Sequence, residues 1–183
     1  MEAYNDAWFS FTFELINTYD PYYEEPERLG SLALFMELLN KHVLPSAKLP
    51  TSKDLIAVHS YRDKFRDLIR TATDEELSLF LNIHLSRAPI QSSLSATTYG
   101  QFMYVYDQPD GTEHSLVDSI LSICSFVLGM ELTKYGRSRL KACASAPCEE
   151  MFMDHSKNGL QRFCSKRCST RYHVKKHRQQ NSQ

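Results

Sequence analysis

Four of the five cysteines gather in one short stretch. Cys143 and Cys148 are separated by four residues, Cys164 and Cys168 by three, and fifteen residues lie between the pairs. Zinc takes four ligands at the corners of a tetrahedron, and two close pairs joined by a loop supply that geometry. Cys164 and Cys168 stand at i and i+4, about 40° apart on a helix, so both sulfurs face one ion. A site closed by four cysteines keeps no position for water, so its chemistry is structural: one Zn2+ per chain, holding a segment too short to fold on its own core. The competing pattern is a pair of disulfides, which needs an oxidising compartment. No basic flank precedes an apolar run at the acidic N-terminus, so a secreted chain is not expected. His155, His173 and His177 compete weakly as ligands; the last two project to the face roughly opposite Cys164 and Cys168. Cys124 stands alone in an apolar run and reads as a small buried hydrophobe.

The residues around the cysteines suggest how they are held. Met151–Met153 and Gln161–Phe163 flank Lys157-Asn158-Gly159, and Asn-Gly is a strong hairpin signal. Phe152 and Phe163 are then expected beneath the metal. Knuckle, hairpin and helix in that order make a treble-clef-like finger. Projected as a helix, residues 164–178 place Arg167, Arg171, Lys175 and Arg178 in one stripe about 80° wide, with Lys166 and Lys176 on other sides. Arg162 and Lys157 on the loop are weaker candidates for the same surface. Arg171 has two readings. It either reaches a polyanion, or it turns inward to Asp154 or a cysteine sulfur and supports a ligand.

Charge sharpens the picture. Residues 1–136 carry 10 Lys+Arg against 19 Asp+Glu, and residues 137–183 carry 11 against 3, although the whole chain sums to only −1. Such asymmetry divides the chain into a 1–136 domain and a 137–183 basic module that faces a polyanion, DNA first, with a zinc-stabilised RNA- or protein-binding module as the alternative. Four thiolates and one zinc ion sum to −2, which leaves the module basic.

The first 136 residues carry mostly helical signals. Residues 7–19, 26–43, 51–71 and 73–85 have apolar residues at helical spacing, with Thr51 or Ser52 and Thr73 as caps and Glu76 completing a capping box. Residues 98–106 alternate like a strand, and Gln108-Pro109-Asp110-Gly111 promises a turn into a short return strand. Residues 116–132 are apolar nearly all round, which predicts a core helix or a contact in a homodimer. The longest apolar stretches fall short of the roughly 20 residues that span a bilayer, so no membrane role is expected and a soluble, cytoplasmic chain is. The fold class is mainly α with a β-hairpin, a helical domain followed by a small zinc finger.

With those residues in view, a family resemblance follows. Residues 143–178, with Phe152, Asp154, Ser156, Asn158, Arg162, Cys164, Ser165, Cys168 and Arg171, resemble the CGNR zinc finger that ends the ABATE-domain proteins, bacterial stress-induced transcription regulators. Leu15-Ile16-Asn17-Thr18 is similar to that domain's early Asn-Thr element, and Arg139-Leu140-Lys141-Ala142-Cys143 to the lead-in of its finger. Where the family reads Cys-Gly-Asn-Arg, this chain reads Cys168-Ser169-Thr170-Arg171. The ligand and the arginine remain; the Gly-Asn pair does not. The resemblance implies a transcription regulator with a ligand- or stress-sensing N-terminal domain. Asn17, Thr18, Tyr19 and Arg62 are candidate linings for an effector pocket, set against plain capping or core roles. No Gly-rich phosphate loop, H-E-x-x-H or nucleophile elbow occurs, and no enzyme is expected.

Overall fold

Side-chain caps set where the helices begin. Ser31 accepts from the Leu34 amide and starts α2 (Leu32–Lys41). Thr51 and Thr73 each close a full capping box, with Asp54 and Glu76, at the heads of α3 (Ser52–Thr71) and α4 (Asp74–Leu85). α1 (Asp6–Ile16) precedes them, and the later helices are α5 (Leu116–Tyr135) and α6 (Lys166–Gln180). The computed structural model describes residues 6–42, 48–96, 102–108 and 114–180.

Strand pairing differs from the sequence reading in both places. β1 (Gln91–Ala96) pairs antiparallel with β2 (Phe102–Asp107), Gln91 opposite Asp107 and Ala96 opposite Phe102. The expected strand therefore pairs backward, with a serine-rich partner exposed at all six positions and lacking any apolar alternation. Of the expected forward turn, Pro109–Gly111 lies outside the described residues. The second pair is β3 (Leu140–Ala142) with β4 (Met151–Met153), Leu140 opposite Met153. Gln161–Phe163 is not a strand. The hairpin expected across Asn158-Gly159 is replaced by one that encloses the first cysteine pair.

The chain divides into two compact units, Met1–Ile16 with Leu29–Met130, and Asn17–Arg28 with Glu131–Gln183. Residues 17–28, expected within the 1–136 domain, thus belong with the finger, and the boundary near 136 moves to 130/131.

In the first unit, Phe11, Leu15, Leu29, Phe35, Leu38, Leu39, Val58, Tyr61, Ile120, Leu121 and Cys124 form one buried cluster. A smaller one joins Trp8, Ile123 and Val127. No residue from 116 to 132 is exposed. α5 is 20 residues long, so by length and composition it is apolar enough to cross a membrane, unlike the shorter stretch read from the sequence; yet 56% of its apolar window is buried in the fold. Its polar residues are spent inward too: the Ser122 hydroxyl donates to the Ala88 carbonyl at 2.6 Å, and Ser125 and Tyr61 share a hydrogen bond at 2.9 Å. Burial pushes the Cys124 thiol up to about 12, consistent with an inert packing residue.

Candidate zinc centre

The finger begins where β3 delivers Cys143 into a tight turn. The Cys143 amide donates to the Glu150 carbonyl at 2.9 Å and the Cys148 amide to that of Ser145 at 3.1 Å, so the first two sulfurs face the same way. The second pair straddles the head of α6. Cys164 precedes it, and Cys168 lies in its first turn, with its amide donating to the Ser165 hydroxyl at 3.3 Å.

The four sulfurs lie within 4.8 Å of one another. Cys148 to Cys164 is 3.8 Å and Cys164 to Cys168 is 3.5 Å. Zn–S bonds of about 2.3 Å place tetrahedral sulfurs about 3.8 Å apart, whereas a disulfide needs about 2.05 Å. The cysteines are unbridged, and the donor set fits one structural zinc ion. Cys143, Cys148 and Cys168 are buried and Cys164 half-buried. On protein groups alone, burial pushes the Cys148 thiol up to about 12 and raises Cys164 further, with neighbouring carboxylate and sulfur adding to it. Cys168 moves the other way: burial opposes ionisation, but the Ser165 hydroxyl and the other sulfurs lower it. A divalent cation at the centre would favour all four thiolates at once, and the positive end of α6 favours those of Cys164 and Cys168 beside it.

Asp154 organises the loop between the pairs. It is fully buried, and it accepts from Lys141 Nζ at 2.6 Å, from the Ser156 amide at 3.0 Å and from the Gln161 amide at 3.0 Å. Burial alone would raise its carboxyl; the Lys141 ammonium and those hydrogen bonds outweigh it and hold it well below the usual carboxylate range. It supports the loop rather than Arg171. Gly159 sits at φ +64°, and a Cβ there would come within 2.7 Å of the Arg139 guanidinium, which donates to the carbonyls of Asp154 and Ser156. Phe163 packs on the cysteine cluster as expected. Phe152 does not: it is half-buried between the inward Met151 and Met153 of β4, since successive strand residues alternate faces.

Residues 17–28 complete this unit, and composition gave no sign of it. The Asn17 side chain donates to the Met151 carbonyl at 2.8 Å and accepts from the Met151 amide at 2.7 Å. Its carboxamide thereby acts as a fragment of a paired strand against β4. The Thr18 carbonyl accepts from the Arg28 amide at 2.8 Å, and Asp20 Oδ1 accepts from the Glu149 amide at 3.1 Å. Tyr22 packs against the cysteine cluster. Asn17 and Thr18 are therefore buried within the finger unit. Arg62 is buried in the first unit, with Nε donating to Asp63 at 2.8 Å. Of the four candidate pocket residues, Asn17, Thr18 and Tyr19 fall in the finger unit and Arg62 in the first, and the Asn17 carboxamide is already spent on Met151.

The basic residues sort by what they touch. Arg171 turns inward: it donates to the Ser145 carbonyl at 2.6 Å, to the Ser145 hydroxyl at 3.2 Å and to the Cys168 sulfur at 3.4 Å. Arg167, Lys175 and Arg178 are exposed and, with Thr170, Val174 and Gln179, line an open groove along α6 that Arg171 also borders. Lys166 is exposed outside it, and Arg162 lies over the rings of Phe163 and Tyr172 at 5.6 Å and 5.2 Å. His173 and His177 are exposed on another side of the helix, away from the sulfurs.

Comparison with known families agrees with this geometry. Residues 139–181 match the family described as CGNR zinc finger. Among curated proteins, none matches the chain.

Proposed function

We propose that this chain, which ends in a CGNR zinc finger, binds duplex DNA through α6 and regulates transcription in the cytoplasm. The observation that carries the reading is the face of α6. Its sequence, Lys166–Gln180, contains no acidic residue, and Arg167, Lys175 and Arg178 share one open groove around the half-exposed Val174. A helix of that kind suits a groove of DNA, where guanidinium and ammonium groups displace counterions and arginine is able to read guanine. Val174 offers the apolar contact that a thymine methyl takes. The metal centre would be structural, fixing the helix rather than reacting. The resemblance to ABATE-domain regulators supports a sensing role for the helical unit, through a small-molecule or stress signal.

The test is a salt titration of the zinc-loaded chain with duplex DNA and with structured RNA. Contact with four to six phosphates gives a log–log slope of about −4 to −5 for the duplex. Arg167, Lys175 and Arg178 changed together to Ala flatten that slope by about 2 to 3. Tighter binding to RNA would move the target class, and salt-insensitive or absent binding to both would overturn the reading.

A further inference from the structure

We propose that Tyr22 is a positioning residue for Arg167, a polyanion-facing arginine of the finger. The argument starts from one ring with two cations. The Arg171 guanidinium lies 4.4 Å from the Tyr22 ring centroid and that of Arg167 lies 5.5 Å from it. Two guanidinium groups that share one ring repel one another, and a negative surface beside both offsets that repulsion. The face of an aromatic ring carries that sign. A zinc tetrathiolate, with net charge −2, supplies more of it next door, because the same ring packs against Cys143, Cys148 and Cys168.

The backbone explains why the ring stays there. Asp20 Oδ1 accepts from the Tyr22 amide at 2.9 Å and from the Glu149 amide at 3.1 Å, which ties the ring's own residue to the cysteine knuckle. The Asp20 amide donates to the Pro26 carbonyl at 3.0 Å, closing the loop behind it. Contacts therefore run in a line from the Cys168 sulfur to Arg171, to Tyr22, to Arg167 and into the open groove. Arg171 is committed inward, so Arg167 is the member of the pair that presents its charge. The ring limits the directions in which it does so and spares some ordering cost on binding. The positioning rests on geometry alone; its relevance to affinity rests on the nucleic-acid reading above.

The experiment uses the full zinc-loaded chain with Tyr22→Phe and Tyr22→Leu. Phenylalanine keeps the ring face; leucine keeps apolar bulk over the sulfurs and removes the face. Arginine Nε–Hε signals of Arg167 and Arg171 are followed by NMR, with zinc content measured alongside. Tyr22→Phe is expected to retain both wild-type shifts, and Tyr22→Leu to move the Arg167 signal to its free-chain position while zinc stays bound. Affinity for a duplex at fixed salt falls about fivefold in Tyr22→Leu only, with the salt slope unchanged because no charge is lost. Wild-type arginine shifts in Tyr22→Leu, or their loss in Tyr22→Phe, overturn the proposal. Expected shifts with no duplex binding by any variant, wild type included, sink the nucleic-acid reading and leave the positioning intact.

Discussion

Cys164 is the half-buried member of the four ligands and stands outside the helix that holds Cys168. Changing it to Ser leaves three buried sulfurs around a site that needs four. Zinc content by elemental analysis should fall to near zero, with the finger's order lost and the helical unit still folded on its own core. Full occupancy in that variant would refute the ligand set. Asp154 answers a different question. Its folded carboxyl ionises well below its unfolded value, so its contribution is complete above about pH 4 and drains away as pH falls further. Asp154→Asn should lower stability at neutral pH, and the gap between the two unfolding curves should shrink on acidification. A gap independent of pH would show that the charge is immaterial. The cysteines were legible because four identical ligands at these spacings have few other uses. Asn17 was not: its partner, Met151, is 134 residues away, and a lone Asn after a helix signals only a cap.

Elements were legible to the degree that their signals were local. Thr51 and Thr73 announced α3 and α4, because a cap and its partner sit three residues apart. Strand partners are chosen at longer range. β2 was visible in its aromatic residues, but β1, rich in serine and exposed throughout, carried no period to read. In the finger, Asn158-Gly159 did mark a turn with positive φ at the glycine, yet the paired strands lay elsewhere, since Asp154 and Lys141 satisfy the loop that a second strand would have filled. Gly159→Ala should cost about 1–2 kcal/mol for the left-handed backbone, and more if Arg139 cannot withdraw. Denaturant unfolding of the zinc-loaded chain measures it; an unchanged midpoint would mean that the loop relaxes freely.

At the scale of the molecule, the finger unit is assembled from two stretches of chain, with Leu29–Met130 of the helical unit between them and α1 ahead of both. It carries 13 Lys+Arg against 8 Asp+Glu, because residues 17–28 bring Asp20, Glu24, Glu25 and Glu27 with them, so it is less basic than residues 137–183 alone. Asn17→Ala keeps α1 and all four cysteines but removes both side-chain hydrogen bonds to Met151. It should bind zinc about tenfold more weakly in competition with a chelator, as expected when two hydrogen bonds to buried backbone are withdrawn. Equal affinity would show that the Asn17 contact is decoration.

Split assembly also has a consequence in time. Asn17 leaves the ribosome 134 residues before Met151. At roughly 5–20 residues per second, it waits on the order of ten seconds for the strand it is to join. The helical unit gains its last residues, at Met130, late in that interval, while the flanking loop still has nothing to bind. Metal capture by all four cysteines thus follows completion of the helical unit, and a chain interrupted between Met130 and Cys164 carries that unit without a finger.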